Sequence, residues 1–314
     1  MMNILITGAN GFIGKRLADY LLEETSYIPR LAVRTLGDKS FQDKAIAVGD
    51  ISATTNWQDA LNGCNVVVHT AARVHILNDK AVDPLAEFRR VNVEGTVNLA
   101  RQAASAGVTR FIFISSIKVN GEITRPDKPF NADDTPCPTD AYAISKYEAE
   151  RALQRIAKES GMEIVIIRPP LVYGPKVKGN FQSMLMWLKK GIPLPLGAIN
   201  NKRSFVSIDN LVDLIVLCIS HHQAKNQILL VSDGEDLSTT ELLQKMSHAL
   251  EKPVHLIPIP SWILKGTARL LGKKGIGQRL CGSLQVDISK TERLLEWKPP
   301  IAVDEALLRL TQTK

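Results

Sequence analysis

The chain has 314 residues, 45% of them hydrophobic and 23% charged, with a formal net charge of +7. This is globular composition, enough for one large domain or two modest ones. Its cations are scattered, with only doublets such as Lys189-Lys190 and Lys273-Lys274, and aromatics make up 5%; this excludes a base-stacking nucleic-acid surface and leaves an acidic small molecule as the expected partner.

In chain order, residues 3–7 (NILIT) read as a buried strand. A glycine-rich turn over 8–14 follows, then helical periodicity over 12–24. Short strands are expected at 31–34, 45–48 and 65–69, with a short helix at 57–61. A long helix is expected over 85–106, ended by Gly107, and a strand over 110–114. A helix over 140–160 is ended by Gly161, and a strand over 163–167 follows. Continuous Ile/Val runs alternating with amphipathic helices indicate βαβ units. The predicted fold is therefore α/β, a Rossmann-type doubly wound parallel sheet. After Arg168 the prolines Pro169, Pro170, Pro175, Pro193 and Pro195 punctuate loops. Helices are expected near 180–190, 209–222, 239–250, 260–271 and 303–312, with short strands near 227–231 and 254–257. Residues 1–168 are thus expected to form the dinucleotide-binding part, and 169–314 mainly a smaller, mostly helical substrate lobe, with some later elements returning to the sheet.

Cys64, Cys137, Cys218 and Cys281 are far apart and form no CxxC pair, as expected for a reducing cytoplasm. The segment MMNILITGANGF lacks the basic-then-apolar pattern of a signal peptide. The longest apolar run, 214–219, is far shorter than the ~20 residues that span a bilayer. The segment 262–271 is amphipathic and carries Lys265 and Arg269; a packed surface helix is the favoured reading, and contact with a membrane the alternative. His69, His75, His221, His222, His248 and His255 show no metal-ligand spacing, so no metal is expected.

The first chemical signal is Thr7-Gly8-Ala9-Asn10-Gly11-Phe12-Ile13-Gly14. Glycines at 8, 11 and 14 lie between a strand and a helix. Such a turn needs positive φ, close backbone approach to a pyrophosphate, and a helix packed tightly on its strand. The helix N-terminus then offers N–H groups to the phosphates. Gly8, Asn10, Gly11, Phe12, Ile13 and Gly14 form the expected dinucleotide cradle. An acidic residue ending the second strand would bind the ribose hydroxyls of NAD. Here that residue is Arg34, with Lys39 nearby. A cation suits a 2′-phosphate, so NADP(H) is the favoured expectation and NAD(H) stays open.

With these residues in view, the sequence resembles the extended short-chain dehydrogenase/reductase family, the NAD-dependent epimerase/dehydratase group, along almost its whole length. TGANGFIG looks like the family's TGxxGxxG fingerprint. Gly49-Asp50-Ile51 looks like its adenine-contacting segment, and HTAA (69–72) like its HxAA strand end. Residues 92–96 (NVEGT) look like its NxxGT helix, and IIRPPLVYGP (166–175) like its loop near the nicotinamide. The resemblance implies cofactor contacts from Asp50, Ile51, Ala71, Ala72, Asn92 and Pro169. It implies a homodimer through the helices 85–106 and 140–160. RSFVSIDNLVD (203–213) is similar to a segment whose arginine holds a nucleotide-sugar phosphate. Arg203, Asn180, Lys118 and, less cleanly, Arg279 in RLCGSLQVD are then the expected substrate contacts. Tyr142 and Lys146 match the family's YxxxK, and Ser116 in FISSIKVNG its catalytic serine, with Ser115 as competitor. Asn120 stands where the family carries a tyrosine, which implies a reshaped sugar pocket.

The chemistry agrees with the resemblance. A free tyrosine has a pKa of ~10 and is a poor base at neutral pH. A nearby ammonium is expected to lower it, and residues i and i+4 share a helix face. A serine hydroxyl can orient the same substrate oxygen. The family's sugar dehydratases place Asp-Glu directly after the catalytic Ser or Thr; here Ile117-Lys118 cannot supply an acid, so dehydration is disfavoured. Two readings stand. The first is reduction of a UDP-4-keto-6-deoxy-GlcNAc to UDP-N-acetylquinovosamine for surface polysaccharide, with exchangeable NADPH. Arg34, Lys39 and the resemblance of SSIKVNGE and NNKRSFV favour it. The alternative is 4-epimerisation of UDP-GlcNAc or UDP-glucose with tightly bound NAD. A non-catalytic cofactor-sensing module is a third class, disfavoured because Tyr142 and Lys146 are both present.

Overall fold

The computed structural model describes residues 2–36, 44–74, 82–177, 179–270 and 274–312, with backbone only at 180, 274, 276 and 312. Lys39 and His75 lie outside the described residues.

The first half alternates as expected. β1 (Asn3–Thr7) leads into α1 (Phe12–Glu24), β2 (Ile28–Val33) and β3 (Ala45–Ala47). Then come α2 (Gln58–Leu61), β4 (Val66–His69), α3 (Pro84–Arg89), α4 (Thr96–Ser105), β5 (Arg110–Ile114), α5 (Ala141–Ser160) and β6 (Glu163–Arg168). These strands and one later strand, β9 (Ile228–Leu230), form a seven-stranded sheet in the order β3-β2-β1-β4-β5-β6-β9, every pair parallel. Parallel strands need helical crossovers, which cover both faces. Alternate residues feed the two cores. Ile4, Ile6, Val66, Val68, Ile112 and Val165 face α1 and α7 (Ile208–Ser220), while Leu5, Val67, Phe111, Phe113 and Ile164 face α4 and α5. The order reverses between β1 and β4. In open α/β sheets that switch point opens a crevice at the carboxyl ends of the strands.

The second lobe has its own core of Tyr173, Phe181, Leu188, Phe205, Leu243 and Leu307. Its elements are β7 (Leu171–Tyr173), α6 (Asn180–Lys189), β8 (Arg203–Ser207), β10 (Asp236–Leu237), α8 (Thr239–Ala249), α9 (Ser261–Leu270), α10 (Lys274–Cys281), α11 (Ser289–Leu295) and α12 (Val303–Gln312). β7, β8 and β10 make a second, three-stranded sheet that hydropathy did not announce. The strand expected at 254–257 is reduced to an isolated bridge between Leu194 and Leu256. The helix expected over 85–106 is continuous in path but not in pitch: Arg90–Gly95 is a π-helical stretch between α3 and α4.

Two caps set the site's geometry. Asp140 caps α5 by accepting a hydrogen bond from the Ala143 amide at 2.7 Å, and Gly161 ends it at φ 76°. Asp caps and left-handed glycine stops are the favoured chemistry for both ends. α5 therefore starts at a defined point beside the end of β5. Among the described residues no helix is long and apolar enough to cross a membrane.

Candidate functional site

The glycine loop is drawn tight at the end of β1. Gly8 has φ 68°, and a Cβ there would lie 2.9 Å from the backbone of Ala71. A Cβ on Gly14 would lie 2.2 Å from the Gly8 carbonyl oxygen. Only glycine allows both approaches. Gly11 is the N-cap of α1 and no side chain caps it. The uncapped helix end, bordered by Asn10, Phe12 and Ile13, therefore offers its N–H groups and its partial positive charge toward the crevice. An anionic pyrophosphate fits this cradle.

The neighbouring turns close around it. Thr70 Oγ1 donates to the Thr7 carbonyl at 2.6 Å, fixing the chain that continues into Ala71 and Ala72. Asn92 sits in the π-helical stretch and is buried. It donates to the Arg73 carbonyl and to Ser145 Oγ, both at 3.0 Å, and accepts from the Arg73 amide at 2.8 Å. Asn92 thereby ties the turn after β4 to α5. The wider π turn is a frequent device at functional sites. A Cβ on Gly95 would lie 2.4 Å from Ile51 Cγ2, so the absent side chain makes room for the Asp50-Ile51 segment. Arg34, at the end of β2, is ion-paired through Nε with Asp50 Oδ1 at 2.9 Å, and both side chains are exposed.

Ser116 and Tyr142 lie close enough for the Ser116 hydroxyl to lower the Tyr142 phenol, while Ser116 Oγ itself accepts from the Lys118 amide at 3.3 Å. Their order along the chain explains this nearness: Ser116 follows β5 and Tyr142 lies in the first turn of α5. Phe88 braces the phenol edge-on, with ring centroids 6.0 Å apart. Burial, and secondarily the Asp140 carboxylate, push the Tyr142 phenol up to about 12, against the lowering effect of the Ser116 hydrogen bond. Lys146 is buried with its Nζ 3.9 Å from the centre of the Phe113 ring. It makes no hydrogen bond or ion pair among the described residues. Burial drives it down to about 7, and Glu150 opposes that. The expectation that Lys146 lowers the phenol's pKa is thus not met. Desolvation acts on both groups, and a lysine pushed toward neutrality has little charge to lend. A buried amine with no hydrogen-bond partner among the described residues is instead suited to receive a polar ligand group, such as a ribose hydroxyl.

The competing serine has another task. Ser115 Oγ donates to Glu150 Oε1 at 2.5 Å, and Arg168 binds Glu150 through Nε at 2.9 Å and Nη2 at 2.5 Å. Arg168 also donates to Asn120 Oδ1 at 2.9 Å, and Asn120 Nδ2 donates to the Asn131 carbonyl at 2.8 Å. Asn120 is therefore part of a buried network beneath the site. The sequence reasoning missed this network; Glu150, one further turn along α5 from Lys146, was its available signal.

Lys118 is drawn to the N-terminus of α5, hydrogen-bonded to Asp140 and 3.6 Å from Glu122 Oε1. Pro169 is buried at the crevice end of β6, where its carbonyl accepts from the Ile117 amide at 3.0 Å. In the second lobe, Arg203 Nη1 donates to the Gly282 carbonyl at 3.0 Å. Burial, and then repulsion from Arg279, hold its guanidinium below the usual arginine range. The two arginines are thus close enough to repel, an arrangement that an anion would relieve. Asn180 opens α6, and its side chain lies outside the described residues. Among the described residues no group of three or more His, Cys, Asp or Glu could hold a metal ion.

The model of the NAD dependent epimerase/dehydratase family matches residues 4–231. The chain belongs to this family. It is a sugar-nucleotide enzyme of the extended short-chain dehydrogenase/reductase kind. It is 51% identical over 311 residues to a UDP-glucose 4-epimerase of Vibrio cholerae, covering 99% of this chain and 94% of that protein. It is 27% identical to an N-acetyl-α-D-glucosaminyl-diphospho-ditrans,octacis-undecaprenol 4-epimerase of Escherichia coli O157:H7, over 92% of this chain and 88% of that one. Among solved structures, UDP-N-acetylglucosamine 4-epimerase from Bacillus cereus superposes with a TM-score of 0.80 at 19% identity, over 99% of this chain and 98% of that one. The last likeness speaks for the fold.

Proposed function

We propose that this chain is a UDP-hexose 4-epimerase that holds NAD and inverts the C4 hydroxyl of a UDP-linked glucose or N-acetylglucosamine. What carries the reading is the nearness of the Ser116 hydroxyl to the Tyr142 phenol, with the buried Lys146 one turn further along α5. The dinucleotide, when bound, supplies a hydride acceptor and donor. Tyr142 would take the proton from the C4 hydroxyl as a hydride leaves C4, and would return it to the same oxygen once the 4-keto sugar has turned and the hydride comes back to the opposite face of C4. Ser116 hydrogen-bonds the same oxygen and orients it. Lys146 holds the cofactor ribose and, when charged, favours the phenolate. Arg203 and Arg279 grip the diphosphate, leaving the sugar to turn between the two presentations of C4.

Two observations move the reading from the 4-reductase expected first to the 4-epimerase. Arg34 was the main ground for NADP(H), yet its guanidinium is matched by the Asp50 carboxylate. A neutralised pair favours ribose hydroxyls over a 2′-phosphate dianion, so NAD is the proposed cofactor. The 51% identity to a protein named as a 4-epimerase supports the same choice.

The test is a paired assay on purified protein. Interconversion of UDP-glucose with UDP-galactose, or of UDP-GlcNAc with UDP-GalNAc, is expected without added cofactor, with NAD released on denaturation. Stoichiometric oxidation of NADPH by a UDP-4-keto-6-deoxy-N-acetylhexosamine, with no interconversion, would return the assignment to a 4-reductase.

A further inference from the structure

The second lobe carries a surface that the proposed chemistry does not use. From Lys252 to Val286 the sequence contains no Asp or Glu, while it holds Lys252, Lys265, Arg269, Lys273, Lys274 and Arg279. A chain of net charge +7 thus concentrates nearly all of its excess in one stretch. Within it, α9 has no buried residue, although it reads SWILKGTARL. Leu264 is half-buried against the second-lobe core. The opposite side is open: Trp262 is 72% exposed and Leu270 87% exposed, and Ile257, just before the helix, is exposed as well. At 3.6 residues per turn, Trp262, Lys265, Arg269 and Leu270 fall within an arc of roughly 140°. Lys265 and Arg269 are exposed on the same arc. α10 packs beside α9, where a Cβ on Gly277 would lie 3.0 Å from Ala268 Cβ. The two helices therefore form a close pair that presents this face outward.

We infer that the outward face of α9 docks onto a lipid bilayer surface rich in anionic phospholipid. The combination selects that occupant. Single exposed apolar residues need no explanation. A short helix with a tryptophan and a leucine outward, two cations between them and no acidic residue in the surrounding sequence has the pattern of an interfacial helix. Tryptophan favours the headgroup boundary, and each Lys or Arg near an anionic leaflet adds attraction that salt screens. A protein partner of ordinary mixed charge would leave these cations uncompensated. Docking also brings α10, which carries Arg279, next to the bilayer. Under the epimerase reading, the diphosphate end of the substrate site would then lie at a membrane surface; that consequence rests on the reading, whereas the docking itself does not.

The experiment is co-sedimentation of the full-length protein with vesicles of phosphatidylcholine alone and of phosphatidylcholine mixed with phosphatidylglycerol. Binding is expected only to the mixed vesicles and is expected to fall as salt rises. The K265E/R269E pair should weaken partitioning roughly tenfold or more. The W262S/L270S pair should weaken it even at low salt, because it removes the inserted side chains. Turnover of a water-soluble UDP-sugar should be unchanged in both, since none of the four residues lies in the proposed site. The inference is overturned if the protein fails to sediment with anionic vesicles, or sediments equally with both substitution pairs. A change of oligomeric state by light scattering in W262S/L270S, without any change in vesicle binding, would assign the face to a second copy of the chain and overturn it equally.

Discussion

Tyr142 and Lys146 illustrate how burial acts on the proposed proton-transfer site before any ligand arrives. The phenol is pushed up to about 12 and the ammonium down to about 7, each away from its charged form. A phenol that high is a weak base by itself, so the proposed proton transfer depends on Ser116 and on charge supplied with the cofactor. Tyr142→Phe keeps the ring against Phe88 and removes only the hydroxyl. A fall in kcat of roughly 10²–10⁴ is expected, with the bound NAD retained; an active Phe variant would remove Tyr142 from the chemistry. Lys146 makes a stability prediction with a definite sign. Its folded-state pKa of about 7 lies below the ordinary lysine value. Below about pH 7 both folded and unfolded chains carry the charge, and the folded state bears the full cost of burying it. Between that pH and about 10.5 the unfolded chain binds the extra proton, so the cost fades as pH rises. Lys146→Met should therefore melt higher than the wild type near pH 6, lose that advantage by about pH 10, and be inactive throughout. A constant difference in melting temperature across this range would mean that Lys146 is not buried as a cation.

At the scale of elements, α5 lays Tyr142, Lys146 and Glu150 along one stripe at four-residue spacing. The first lies in the crevice, the second beneath it, and the third in the core, where Arg168, Ser115 and Asn120 lock α5 to β5 and β6. Removing one partner of a fully buried ion pair leaves a bare charge, at a cost of about 3–5 kcal/mol. Glu150→Ala is expected to lose about that much in urea unfolding. The double variant E150M/R168M should stand closer to the wild type than either single substitution, because it leaves no orphaned charge. A double variant as unstable as the sum of the singles would show that the two side chains do not act as a pair. These elements also mark what the sequence made legible. α1 and α5 were readable because their signals are local: glycines at fixed spacing, an Asp cap, a glycine stop. The π-helical stretch at Arg90–Gly95 was not, because tertiary bonds from Asn92 to Arg73 and Ser145 hold it, and no periodicity encodes them. The two- and three-residue strands β7 and β10 are too short for alternation to register. Ser116 is singled out over Ser115 by resemblance, and the two side chains have different partners: Ser115 donates to Glu150, and Ser116 accepts from the Lys118 amide.

Across the whole molecule, the cradle and Tyr142 belong to the large sheet, whereas Arg203 and Arg279 belong to the second lobe. The chain passes from one to the other at Arg168-Pro169-Pro170, between β6 and β7. The expectation of NADP(H) rested on Arg34 and Lys39, and the carboxylate that pairs with Arg34, Asp50, is sixteen residues away in sequence and adjacent only in the fold. Under the proposed reading, cofactor and diphosphate contacts in different lobes predict separable ligand effects. A ligand at about 100 times its Kd stabilises the state it binds by about 2.7 kcal/mol. UDP should therefore raise the melting temperature of the wild-type protein measurably, as should NAD added to protein stripped of it. Arg203→Leu removes half of a pair of mutually repelling cations. It should abolish most of the UDP shift and leave the NAD shift intact, and the unliganded variant should be no less stable than the wild type, since relief of repulsion offsets the lost bond to Gly282. Arg279→Leu tests the weaker sequence match in the same way. A UDP shift that survives both substitutions would move the diphosphate site away from these two arginines, while loss of both shifts together would mean that the second lobe, and not the anion site alone, had been disrupted.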